Sequence, residues 1–154
     1  MSVIESKLAS MGIELPGKIG PGRGLVPVVE HGDLLFVSGH GPEDNDGNLL
    51  FRGQVGEEVS LEEAVLAARA TGVQLLRTLR EHLGDLDRID RIVKALGFVN
   101  SAPGFHEQPQ VMHGFSDLMV ELLGARGQHA RSAIGTSSLP FNQPVEIELI
   151  VAVR

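Results

Sequence analysis

Apolar residues recur at helical spacing over residues 61–83 and predict one long amphipathic helix. Ser60 and Glu63 have the spacing of a capping box at its start, and Gly84 follows as a stop signal. Gly72 costs about 1 kcal/mol relative to alanine inside a helix, so we expect it to lie where a larger side chain would clash.

A second helical stretch begins at Pro109, a residue favoured in the first turn of a helix, and ends before Gly124. Its apolar side chains fall on one helical face: Val111, Met112, Phe115, Leu118, Met119 and Leu122. Two amphipathic helices are therefore expected, and each needs an apolar surface to pack against.

Short runs of β-prone residues predict the strands of a sheet. The runs 25–30 and 34–38 flank a turn and predict a hairpin, and a further short strand is expected at 49–52. Residues 92–99 are almost all apolar, which is typical of a central strand covered on both faces. Two last strands are expected at 131–138 and 145–153.

This order of elements predicts an α+β domain in which two helices pack on one face of a mixed sheet. The other face also carries apolar residues, because 34–37 are consecutively apolar and 96–99 are apolar apart from Gly97. Soluble monomers avoid apolar patches of this kind, so we expect a homo-oligomer whose sheets pack against one another. The domain is placed at 25–154, after an N-terminal extension and Gly/Pro loop at 1–24.

Composition narrows the classes of function. The chain has 154 residues, of which 42% are apolar and 21% charged, and this suits one folded domain. A net charge of −7 argues against a broad nucleic-acid surface, and phenylalanine is the only aromatic type available for stacking on bases. With no cysteine, disulfides, thiol nucleophiles and thiolate metal sites are excluded. No secretion signal or stretch of roughly 20 apolar residues is apparent, so a cytoplasmic protein that does not enter a membrane is expected.

Two further motifs are weak evidence for a nucleotide-binding or metal-binding site. The glycine-rich stretch 20–24 resembles a phosphate cradle only superficially, because it lacks the Lys-Ser/Thr of a P-loop. His106, Glu107 and His113 do not have the spacing of a His-Glu-x-x-His zinc motif. Pro109 also interrupts the helix that would align them. We expect no metal and no cofactor.

The C-terminal sequence carries the most specific pattern. Arg131-Ser-Ala-Ile-Gly-Thr-Ser-Ser-Leu-Pro140 is followed by Val145-Glu-Ile-Glu148, and the earlier strand at 34–39 ends in Ser-Gly. Together with the order of helices between them, these motifs resemble the Rid family of reactive intermediate deaminases, also called YjgF-like or L-PSP endoribonuclease-like proteins. The resemblance spans roughly residue 25 to the end and implies a chorismate-mutase-like fold that assembles as a homotrimer with a pocket between subunits.

The charged residues of these motifs are the catalytic candidates. An arginine on a strand can hold a carboxylate through two parallel hydrogen bonds, although an arginine in this pattern is more often a surface or interface residue, here paired with Glu146 or Glu148. The two glutamates alternate with apolar residues, so they share one face of the last strand, which could simply be solvated. The resemblance implies instead that Arg131 clamps the substrate carboxylate and that Glu146 orients, or takes a proton from, the attacking water. It also implies four substrate-binding residues, namely Ser38, Gly39, His40 and Ala133.

One departure from the family pattern alters the expected pocket. Family members with deaminase character typically place a tyrosine after Ile-Gly-Pro, whereas this chain continues Ile19-Gly-Pro-Gly22 and contains no tyrosine. His40 or His129 could supply a polar group in its place, and each could also be an ordinary structural histidine.

The resemblance implies a cofactor-independent hydrolysis of 2-imino acids, or their enamine tautomers, to 2-keto acids and ammonia. Because the tyrosine is missing, a non-catalytic protein that binds small carboxylic acids is the alternative. An endoribonuclease is disfavoured by the acidic charge and the few aromatic residues. Chorismate-mutase chemistry would need several cations around a dianion. Arg131 is the only cation that the motifs assign to a pocket.

Overall fold

Three α-helices and a five-stranded mixed sheet form the part of the chain that the computed structural model describes, residues 2–15 and 25–154. The helices are α1 (Val3–Ser10), α2 (Leu61–Leu83) and α3 (Gln108–Leu123). The strands are β1 (Val28–His31), β2 (Leu34–His40), β3 (Ile89–Asn100), β4 (Ala130–Thr136) and β5 (Val145–Val153). In the sheet the order is β1-β2-β5-β3-β4, and only the β3–β4 pair is parallel. The predicted α+β class is confirmed.

The long helix α2 begins and ends where the sequence predicts. The Ser60 hydroxyl accepts from the Glu63 N–H at 3.2 Å, and the Glu63 carboxylate accepts from the Ser60 N–H at 2.9 Å, which satisfies two free donors of the first turn. Gly84 ends the helix with φ at 76°, a left-handed conformation that suits glycine.

Helix α1 was not predicted, so the expectation of two helices is corrected to three among the described residues. Its eight residues bury only Ile4 and Leu8, which is too few to produce a visible helical period in the sequence. Asp87 stabilises its start by accepting the N–H groups of Val3 at 2.6 Å and Ile4 at 3.1 Å. This partner is more than eighty positions away along the chain, whereas Ser2 and Glu5 form a local capping box at the same end.

The strand predicted at 49–52 is wrong, because its only sheet-like contact is an isolated bridge between Leu49 and Glu43. The Asp44 carboxylate accepts the N–H groups of Asp46 at 2.9 Å and Asn48 at 2.8 Å. These hydrogen bonds hold residues 44–48 in a local turn, which competes with the pairing of this segment into a β-sheet.

Two strands begin several residues from their predicted starts. Strand β1 begins three residues later than expected, and β3 begins three residues earlier.

The Gly/Pro loop at 16–24, with its superficial phosphate cradle, lies outside the described residues, and the domain boundary after residue 24 stays a prediction. No helix in the described ranges is both long enough and apolar enough to cross a membrane.

Helices α2 and α3 cover one face of the sheet, and the core lies between them and that face. The strands contribute Leu35, Val37, Ala95, Val99, Leu149 and Val151 to this core. On the opposite face Val29, Phe36 and Ile134 remain 52%, 43% and 45% exposed. That face is therefore partly apolar and uncovered in the single chain, as the sequence predicts, while the oligomer that would cover it stays a prediction.

Two glycines lie where α2 and α3 meet. A methyl group on Gly72 would touch only side-chain ends of α3, Leu118 at 3.0 Å and Phe115 at 3.2 Å. A methyl group on Gly114 would instead overlap the backbone carbonyl oxygen of Val65. The close approach of the two helices therefore depends more on Gly114 than on Gly72.

We expect Gly114→Ala to lower the free energy of unfolding by about 3 kcal/mol or more, because backbone atoms of α2 cannot move aside without separating the helices. The matched control is Gly72→Ala, whose gain in helix propensity, about 1 kcal/mol, offsets the crowding of flexible side chains. Urea unfolding of both variants measures the difference. Equal stabilities would contradict the close helix contact at Gly114.

Candidate functional site

Arg131 lies on the edge strand β4, and its side chain points to the helix-covered face of the sheet. Arg131 is paired in register with Ala95 of β3, and Ala95 is paired in turn with Leu149 of β5. Because Ala95 and Leu149 are buried in the core, this row of side chains lies on the helix-covered face. The guanidinium donates from Nη1 to the Ser116 hydroxyl at 3.1 Å and from Nη2 to the Pro109 carbonyl at 3.2 Å. It forms no salt bridge with any residue that the structure describes.

Ser116 links Arg131 to His129. Nε2 of His129 lies 3.0 Å from the Ser116 hydroxyl oxygen, and Nδ1 lies 2.6 Å from the Gly127 carbonyl oxygen. Burial lowers the pKa of His129, the hydrogen bond to Gly127 opposes that effect, and the positive charge of Arg131 adds to the lowering. In the neutral ring, Nδ1 donates to the carbonyl and Nε2 accepts from the Ser116 hydroxyl.

A concavity of about 440 Å³, which we call the arginine concavity, opens beside these side chains. Its lining consists of His113, Ser116, Val120, Gln128, His129 and Arg131. None of these side chains carries a carboxylate, while one is a permanent cation and two are imidazoles. The arrangement favours a small anion.

Glu146 lies on β5 and points to the other face of the sheet. Its partner in register is Phe98, which is paired on its other side with the exposed Ile134. This row is three residues along β3 from the row of Arg131 and Ala95, and an odd separation places side chains on opposite faces.

The carboxylate of Glu146 is held in place by its neighbours. Gln143 donates from Nε2 to it at 2.9 Å, and it lies so close to Gly39 that a side chain at position 39 would collide with it. Burial raises the pKa of Glu146, the Gln143 hydrogen bond opposes the rise, and the charge of Glu148 adds to it.

A second concavity of about 300 Å³, the glutamate concavity, surrounds this group. Its lining includes Gly39, His40, Glu43, Phe141, Gln143 and Glu146. Both ring nitrogens of His40 are engaged, Nδ1 with the Ser38 carbonyl and Nε2 with the Thr78 hydroxyl, each at 2.7 Å. Burial lowers the pKa of His40, the bond to Ser38 opposes this, and the charge of Arg77 adds to the lowering.

The six predicted site residues are therefore divided. Gly39, His40 and Glu146 line the glutamate concavity, whereas Arg131 lines the arginine concavity, and the two share no lining residue. Ala133 lies two residues beyond Arg131 and shares its face of β4. The Ser38 hydroxyl donates to the Val26 carbonyl at 2.9 Å, and its side chain lines neither concavity. One chain by itself does not bring Arg131 and Glu146 together.

Two polar partners were missed by sequence reasoning. Ser116 lies on α3 and meets Arg131 and His129 only through the packing of that helix on β4. Gln143 lies in the turn before β5 and carries no motif of its own. Across residues 2–15 and 25–154, no cluster of three or more His, Asp or Glu side chains is arranged to hold a metal.

Comparisons with known proteins agree on one family. Residues 5–152 match the family model described as "YjgF/chorismate_mutase-like, putative endoribonuclease". A curated relative, Protein TCP17 of Trypanosoma cruzi, is 40% identical over 157 residues that cover 98% of each chain.

Solved structures extend this likeness. That of Atu1372, a protein of unknown function from Agrobacterium tumefaciens, is 41% identical, covers 98% of this chain and 92% of its own, and has a TM-score of 0.90. E. coli TdcF with bound serine is 23% identical over 90% of this chain and 92% of its own, and its TM-score of 0.60 shows a shared fold. The chain therefore belongs to the YjgF/chorismate mutase-like family, the Rid family that its C-terminal motifs resemble.

Proposed function

We propose that the protein hydrolyses reactive 2-imino acids, or their enamine tautomers, to 2-keto acids and ammonia without a cofactor. The observation that carries this proposal is Arg131, a half-buried guanidinium that faces a concavity without carboxylates and has no salt bridge among the described residues. A planar cation placed in this way matches the carboxylate of a small organic acid, which it can hold through two parallel hydrogen bonds.

Glu146 supplies the proton chemistry in this proposal. Its raised pKa brings the carboxylate closer to the pH at which it can both accept and return a proton. Water adds to the carbon of the nitrogen-protonated imine while Glu146 takes the water proton, which gives a neutral carbinolamine. The same carboxyl group then returns the proton to the amine nitrogen, the C–N bond breaks and ammonia leaves, and Glu146 takes the remaining hydroxyl proton as the carbonyl forms.

The two groups would meet between subunits. Arg131 and Glu146 lie on opposite faces of the sheet, so a site that uses both needs Glu146 of the partner subunit beside the arginine concavity. The uncovered apolar face, with Phe36 and Ile134, gives the oligomer a surface to bury. We take the assembly to be the homotrimer that the family resemblance implies.

The ligand seen in a protein of this fold supports a small acid as substrate. TdcF was solved with bound serine, whose carboxylate and adjacent nitrogen correspond to the carboxylate and nitrogen of a 2-imino acid. The likeness is one of fold, so the comparison supports the class of ligand rather than the individual compound.

A second candidate is a non-catalytic protein that binds the same acids. The chain contains no tyrosine, and its Arg131 and Glu146 do not meet within one subunit. Clamping a carboxylate needs Arg131 alone, so binding without turnover is consistent with both observations. Phosphodiester cleavage remains disfavoured by the net charge of −7.

The two candidates are separated by measuring binding and turnover on the same preparation. A panel of 2-keto acids should raise the melting temperature in either case. Only the enzyme should accelerate the loss of 2-iminobutanoate that is generated in situ, measured as release of 2-ketobutanoate above the spontaneous rate. Stabilisation without acceleration would favour the binding protein, and the absence of both effects would refute both candidates.

A further inference from the structure

While His129 is neutral, the hydrogen bonds around Arg131 form a chain in which the position of every proton is fixed. A guanidinium only donates, a carbonyl only accepts and a neutral imidazole carries a single N–H, so each direction is set. Arg131 donates to Ser116, Ser116 donates to His129, and His129 donates to the Gly127 carbonyl. The single hydroxyl proton of Ser116 is therefore directed at His129 and not into the arginine concavity.

Protonation of His129 would reverse one link of this chain. With a proton on Nε2, the imidazolium must donate to the Ser116 oxygen, which already accepts from Arg131. The Ser116 hydroxyl proton is then free to turn into the concavity. The same event adds a second positive charge beside the guanidinium. Both changes favour an anion in the concavity.

An anion in the concavity would in turn favour the proton. In the empty site, burial and repulsion from Arg131 lower the pKa of His129 and so favour its neutral form. A bound carboxylate offsets that repulsion and offers the freed Ser116 hydroxyl an acceptor. Proton and anion therefore stabilise each other, which is thermodynamic linkage.

We infer that the arginine concavity binds an organic acid together with one proton, which His129 takes up through its contact with Ser116. The inference deepens the proposed function, on which it rests for the identity of the acid, and assigns the site a built-in dependence on pH. Because the bound anion raises the pKa of His129, affinity should increase as pH falls through the interval between the free and bound pKa values.

The groups that face His129 are few. Strand β4 contributes Arg131, the turn before it contributes the Gly127 carbonyl, and α3 contributes Ser116 and the Phe115 ring, which packs edge-on against the imidazole; Gln128 and His113 line the same concavity. His113 is the other titratable group in the lining. It is exposed and serves as the matched control.

Pyruvate is the probe, and the full chain in its native assembly is the sample. Isothermal titration should show a dissociation constant several-fold smaller at about pH 5.5 than at about pH 8, with a limit of about tenfold for a one-unit rise in the pKa of His129. Titration in buffers of different ionisation enthalpy should show proton uptake on binding at intermediate pH. The carboxylate of pyruvate itself stays ionised throughout.

Variants identify the group that takes up the proton. His129→Gln should bind pyruvate weakly at every pH and without proton uptake, whereas His113→Gln should keep the pH dependence. Ser116→Ala should weaken binding most at low pH, where the freed hydroxyl would contact the anion, and Ser116→Thr should restore it. Melting temperatures confirm that each variant is folded before its binding is compared.

Affinity that is independent of pH, or pH dependence that disappears in His113→Gln and persists in His129→Gln, would overturn the inference. In either case the proposed function would stand or fall separately on imine turnover. Failure of pyruvate to bind at both pH values would also overturn it. If imine turnover were absent as well, the proposed function would be refuted at the same time.

Discussion

Arg131→Ala is expected to lower kcat/KM for 2-iminobutanoate by about a thousandfold, because the substrate carboxylate loses its charged, two-point partner in a partly desolvated site. The variant should remain folded, since among the described residues the guanidinium hydrogen-bonds to the Ser116 hydroxyl and the Pro109 carbonyl and forms no salt bridge. Turnover is followed as 2-ketobutanoate release, and light scattering checks the assembly.

Arg131→Lys is the matched control for that variant. It keeps the positive charge but lacks the planar fork, so its rate should lie between those of the wild type and Arg131→Ala. Wild-type turnover in Arg131→Ala would refute the role of the guanidinium. Equal losses in both variants, with the assembly intact, would indicate that the two-point geometry matters more than the charge.

Glu146→Gln is expected to lose about a hundredfold to ten-thousandfold in turnover, because the amide cannot accept a proton from water. Mixing Glu146→Gln with Arg131→Ala subunits should then restore about a quarter of wild-type activity. In a closed ring each site takes Arg131 from one subunit and Glu146 from its neighbour, and random mixing gives each intact group with a probability of about one half.

The complementation experiment distinguishes the two possible compositions of the site. Co-expression or joint refolding of the two variants forms the mixed assemblies, and each variant refolded alone is the control. If one chain carried the whole site, every mixed subunit would still be defective and mixing would restore nothing. That result would contradict a site shared between subunits, even if both single variants were inactive.

Much of the fold can be predicted from local patterns in the sequence. Helix α2 begins at a capping box and ends at Gly84, and the alternation of glutamate and apolar residues in β5 assigns one face to the core, so both elements are found at the predicted bounds. Helix α1 was not predicted because its eight residues bury only Ile4 and Leu8, although Ser2 and Glu5 form a local capping box at its start. The strand expected at 49–52 failed because the Asp44 turn competes with a ladder.

Sequence alone determined which side chains are candidates, Arg131 and Glu146 above all, because their residue types and the motifs around them are local properties. The tertiary structure decided where these side chains lie relative to one another. Alternation assigns faces within one strand, but the relation between β4 and β5 depends on how each is registered against β3, and the observed register places the two groups on opposite faces. The contacts of Ser116 and Gln143 were decided in the same way, since they form only when α3 packs on β4 and the turn before β5 closes on Glu146.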